Sequence, residues 1–175
     1  RSISVWIFVI PFLSVNTCLI IVTNFHGILE PGVPINQTFP YFDGEVSISR
    51  TVRDYPLYLI FKPAMFITSL LLVRYWLNTK KIINFFDENH THTKKIIFFG
   101  IGSAVLLLIH SIFLGIKFDN DLYKLFRRVV MLSFIIFELI AQAYFINFMY
   151  KSKNKLLPFI NEFFFKDKKN FDNNI

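Results

Sequence analysis

The sequence predicts an all-α integral membrane protein, a four-helix bundle with a long ordered outer loop between its first two spans. Two observations predict this class. Hydrophobic residues make up 54% of the chain, and four apolar runs approach or exceed the roughly 20 residues that cross a bilayer core. The predicted spans are about residues 3–23, 57–73, 96–116 and 129–150, with the outer loop at 24–56. They form one transmembrane domain, 1–150, and a basic cytoplasmic tail, 151–175, follows it.

The composition excludes several classes of site. The net charge of +7 does not indicate a nucleic-acid partner, because the basic residues flank the spans, where they meet lipid headgroups. Cys18 is the only cysteine, so neither an intrachain disulfide nor a thiolate metal cluster can form. We interpret Cys18 as a small apolar packing residue. No cofactor and no metal site are expected.

The distribution of Lys and Arg predicts the orientation of the spans. Twelve lie in the N-terminus, the second loop and the tail, whereas six lie in the first and third loops. Cytoplasmic loops carry the excess of these residues. Both termini are therefore predicted to be cytoplasmic, and residues 24–56 to face the opposite side.

The outer loop contains the charged residues best placed to meet headgroups outside the membrane. They are Asp43, Glu45, Arg50 and Arg53. A guanidinium fits a phosphate well, so the arginines are predicted to contact headgroups; the alternative is that these charges pair with one another and brace the loop. The loop has no nucleophile-elbow pattern, so the protein is predicted not to be an enzyme.

The same loop carries a family resemblance. Phe39-Pro40-Tyr41, a polar stretch after it, Pro56 before the second span and Arg74-Tyr75 at that span's inner end resemble the Frag/DRAM/Sfk-type membrane family. That family includes autophagy modulators and a Golgi protein that helps remodel the lipid of GPI anchors. The resemblance covers about residues 1–116 and implies a membrane location and lipid handling. Members usually have six spans, whereas this chain has four predicted spans.

Polar residues inside the spans are functional candidates, because they are costly in lipid. Asn16, Lys62, His110 and Glu138 are predicted to lie about 8–13 Å below the outer surface, at a rise of about 1.5 Å per residue. Glu138 is expected to face the bundle near His110 or Lys62, and Gln142 lies one turn further along its face. The alternatives are that Lys62 extends to the interface and that His110 bonds to a neighbouring helix.

Three functions fit these observations. The first is a non-enzymatic, lipid-associated membrane protein that contacts lipid through its outer loop. The second is an accessory subunit of a larger membrane complex, with other membrane subunits or a second copy as partners. The third, least favoured, is a small proton-coupled carrier that uses Glu138, since four spans need oligomerisation to build a pathway.

The orientation is testable by labelling cysteines introduced at Thr38 and Asn89 in a Cys18→Ser background. An impermeant thiol reagent applied to intact cells should reach position 38 and not position 89, because the positive-inside rule places them on opposite sides. Labelling of position 89 alone would reverse the predicted topology.

Overall fold

The four predicted spans are four helices in the computed structural model, which describes residues 2–24, 52, 55–87, 92–114, 116, 120–155 and 157–158. The helices are α1 (Ser2–Asn24), α2 (Leu57–Phe86), α3 (Thr93–Phe113) and α4 (Asp121–Lys151). All four are long and apolar enough to cross a membrane. The predicted all-α four-helix bundle is therefore confirmed.

The helices pack in chain order. The main contacts join α1 to α2, α2 to α3 and α3 to α4. Neighbours run antiparallel: Lys62 and Ser69 of α2 bond to the carbonyls of Ile112 and Ala104 of α3, so residue numbers rise in one helix as they fall in the other. The middle helices α2 and α3 thus each have two neighbours, and α1 and α4 form the flanks.

The second helix is longer than the predicted span at residues 57–73. It continues without interruption to Phe86, which gives a length of about 45 Å at 1.5 Å per residue. Its last turns remain helical because Trp76, Thr79 and Ile83 are buried at helical spacing and hold this part of α2 against the bundle. Helix α2 is therefore longer than the hydrocarbon core is thick, since that core measures only about 30 Å.

The core consists of two clusters of buried apolar side chains. The first cluster, where α1 ends and α2 begins, includes Cys18, Leu57, Phe61 and Leu114. Val52 belongs to it at 2% exposure, so the segment before α2 is packed against the bundle at this point. Cys18 is fully buried, which confirms its interpretation as a packing residue.

The second cluster, towards the opposite end, is built around Trp76. This side chain is fully buried and packs with Ile83, Ile96 and Phe148. Its indole ring lies directly on Gly100 of α3, so that a Cβ atom at position 100 would overlap the ring. Gly100 therefore allows α2 and α3 to approach closely, as small residues do between membrane helices.

Gly100→Ala should lower the free energy of unfolding by about 1–3 kcal/mol, because the added methyl group overlaps a rigid, fully enclosed ring. Gly102→Ala is the matched control in the same helix, since its Cβ would meet only the edge of the Phe137 ring at 2.8 Å. Thermal unfolding in detergent would compare them. Equal losses of stability from both substitutions would show that the packing of the Trp76 ring does not depend on Gly100.

Candidate functional site

The bundle holds a polar group of four side chains, Trp76, Ser103, Glu138 and Gln142, which we call the central polar cluster. Trp76 Nε1 donates to Glu138 Oε2 at 3.2 Å, and Ser103 Oγ lies 2.6 Å from the same oxygen. Gln142 Nε2 donates to Glu138 Oε1 at 2.9 Å. Both carboxyl oxygens of Glu138 are therefore engaged, and the carboxyl group joins side chains from α2, α3 and α4.

The helix register places these groups together. Ser103 is the midpoint of the 21-residue helix α3, so the cluster lies near half the height of the bundle. Gly100, one turn before Ser103, admits the Trp76 ring, and this close approach brings the indole N–H to Glu138. Gln142 follows Glu138 by four residues and therefore lies over it on the same face of α4.

The sequence predicts that Glu138 lies near His110 or Lys62, but in the described residues its carboxyl group bonds to Trp76, Ser103 and Gln142. Gln142 is the residue one turn further along the same face. The difference lies in the depth assigned to Glu138. Helix α4 begins at Asp121, and the antiparallel register sets Glu138 against Ser103, two turns of α3 from His110. Trp76 lies beyond the predicted second span, at residues 57–73, and only the longer α2 places it on the buried face of that helix.

Lys62 has a structural role at the C-terminal end of α3. Its amine donates to the Ile112 carbonyl at 3.3 Å and lies 5.5 Å from the centre of the Tyr58 ring. Tyr123 of α4 donates its hydroxyl to the next carbonyl, that of Phe113, at 2.7 Å. The last carbonyls of a helix have no partner within the helix, so Lys62 and Tyr123 cap α3 from both sides. A cation is also favoured at this negative end of the helix dipole.

Asn16 and His110 do not join the central polar cluster either. Asn16 Nδ2 donates to the Phe12 carbonyl of its own helix at 2.7 Å. His110 is half-buried and lies within electrostatic reach of Arg127. The residues of the predicted single polar layer are therefore divided between the middle of the bundle and the end at which α3 ends. The predicted headgroup contacts, Asp43, Glu45, Arg50 and Arg53, lie outside the described residues.

The described helices also form an apolar groove on the outer surface of the bundle, which we call the α3–α4 groove. Its volume is about 600 Å³. It is lined on the α3 side by Phe98, Ile101, Gly102 and Val105, and on the α4 side by Ser133 and Phe137. Since both walls belong to helices able to span a membrane, the groove opens towards the hydrocarbon core.

Comparison of the chain with protein-family models, with curated proteins and with solved structures gave no match.

The contacts of the central polar cluster predict how substitutions of Glu138 change the stability of the protein. Glu138→Gln should be tolerated, because an amide oxygen accepts from Trp76 and the Gln142 amide can turn to meet the new NH₂ group. Glu138→Leu should lower the free energy of unfolding by about 1–3 kcal/mol, because it leaves a buried indole N–H without an acceptor. Ser103 Oγ also lies 2.8 Å from the Gly100 carbonyl, so its hydroxyl keeps an acceptor.

Trp76→Phe provides the control, because it removes the indole N–H that Glu138→Leu leaves without an acceptor. In a double-mutant cycle, Glu138→Leu with Trp76→Phe should cost less than the sum of the single changes. Thermal unfolding in one detergent would measure all four proteins. Additive losses would show that the indole and the carboxyl group stabilise the bundle independently.

Proposed function

We propose that the protein is a non-enzymatic, lipid-associated membrane protein that retains a lipid on its transmembrane surface. The observation that carries the proposal is the α3–α4 groove. The sequence predicts lipid contact through residues 24–56, and the groove provides a second place for it within the helices. Membership of the Frag/DRAM/Sfk-type family stays a prediction.

The groove suits an acyl chain because of its position and its lining. Inside the bilayer the surrounding medium is acyl chains, so a concave apolar surface there is filled by one of them. A chain on a convex helix surface contacts one wall, whereas a chain between Val105 and Phe137 contacts two. Dispersion contacts are individually small and add up over many atoms, so a chain in the groove is held longer than its neighbours.

The polar groups of the described helices are engaged with one another and with helix ends. The Glu138 carboxyl group is held by three donors, and Lys62 is engaged with a helix terminus. These contacts stabilise helix packing and leave Glu138 with both oxygens occupied. The same contacts make the proton-coupled carrier the least favoured of the three functions.

The accessory-subunit function is supported by a different observation, the surface of α4. Only Val130, Ala141 and Phe148 of its 31 residues are buried, against nine residues of the 30-residue α2. The face turned away from α3 presents large apolar side chains such as Leu132 and Leu139. A helix of a partner subunit would pack there rather than in the groove.

Filling the groove should displace its lipid. Ser133→Phe narrows it from α4, and Val105→Phe narrows it from α3 at a position already 48% exposed. Each variant should lose most of the lipid that the protein retains after purification in a mild detergent, as measured by native mass spectrometry. The physical reason is that the new ring occupies the volume of the acyl chain.

Leu132→Phe is the matched control, because Leu132 is 58% exposed on the α4 face that points away from the groove. It should retain as much lipid as the unmodified protein. Equal lipid in all four proteins would contradict the proposal. Co-purification of a stoichiometric protein partner that Leu132→Phe releases and Ser133→Phe does not would favour the accessory-subunit function instead.

A further inference from the structure

We infer that the lipid held in the α3–α4 groove is an anionic phospholipid, with its phosphate against Lys94 and Lys95 at the first turn of α3. The inference rests on the proposed function and adds the chemical class and the leaflet of the lipid. The leaflet is the one at which α3 begins and α2 ends.

The lysines lie on the same face of α3 as the groove. Lys94 precedes Ile101 by seven residues, and Lys95 precedes Gly102 by seven. Residues seven apart in a helix are nearly in line, two turns from one another. Both lysines are exposed, and no ion pair of either lysine is found within the described residues. Two exposed amines therefore lie directly beyond the end of the α3–α4 groove.

The length of the groove agrees with that of one acyl chain. The α3 wall runs from Ile97 to Leu106, nine steps of about 1.5 Å, or about 14 Å. Half of the hydrocarbon core is about 15 Å thick. Lys94 lies about 4.5 Å beyond Ile97 along the helix axis, which is where a phosphate follows the acyl region. The groove would thus hold the acyl chain, and the lysines beyond its end would meet the headgroup.

The other helices also have lysines at the end of the bundle where α3 begins. Lys151 of α4 follows Ser133 by eighteen residues, which is five full turns, so it lies in line with the α4 wall of the groove. Its side chain is exposed. By contrast, Lys80 and Lys81 are exposed at the same end of the bundle but belong to α2. Helix α2 packs on α3 through Trp76 and Gly100, away from the groove.

The test uses the full chain in mild detergent with equal amounts of phosphatidylglycerol and phosphatidylcholine of identical acyl chains. Native mass spectrometry measures the ratio of the two bound lipids. The unmodified protein should prefer phosphatidylglycerol. The double variant Lys94→Gln/Lys95→Gln should lose about tenfold in that preference while binding a similar total of lipid, since each lysine near an anionic headgroup contributes up to about fivefold.

Lys80→Gln/Lys81→Gln makes the same change in charge at the same end of the bundle, and it should keep the preference. The inference is overturned if the unmodified protein binds both lipids equally, or if the two double variants lose the preference to the same extent. These results differ from failure of the proposed function, in which Ser133→Phe and Val105→Phe leave the total of bound lipid unchanged.

Discussion

The bundle depends on the contact between Trp76 and Gly100. A full indole ring fits between α2 and α3 only where α3 has no side chain, and the same position directs the indole N–H to Glu138 of α4. One residue thus sets the distance between two helices and bonds to a third. Hydrogen bonds between membrane helices contribute about 0.6 kcal/mol on average, so the packing at Gly100 outweighs the bond that it makes possible.

The cost of a polar group in lipid explains the arrangement of the other polar side chains. Water does not satisfy them in the hydrocarbon core, and those of the described helices largely bond to backbone carbonyls. Thr68, Thr79 and Ser111 bond within their own helices, whereas Ser69 bonds across to the Ala104 carbonyl. Lys62 and Tyr123 complete the end of α3. The polar residues therefore fix the register of the antiparallel helices.

The helices were predictable from the sequence because apolar run length is a direct consequence of bilayer thickness. The inward direction of Glu138 and its contact with Gln142 followed from the cost of charge in lipid and from helical spacing. The partners on other helices did not follow, because depth was counted from the ends of the apolar runs. Helix α4 begins at Asp121, where Asn120 accepts a hydrogen bond from the Leu122 N–H, and α2 ends at Phe86. Polar helix ends outside the lipid carry no apolar signal, so the register between helices stayed undetermined.

The cost of a polar group in lipid also explains why the inside of this bundle and its lipid-facing surface differ in their side chains. Side chains with strong hydrogen-bonding groups are used between the helices, where Glu138 meets three donors. The α3–α4 groove is lined mainly by apolar atoms and small residues, so the proposed binding of a lipid would rest on shape along the chain and charge at the end. Shape alone selects poorly among lipids, because acyl chains of different lipids are alike. Any selectivity of the groove therefore has to arise at the membrane surface, where Lys94 and Lys95 lie beyond its end.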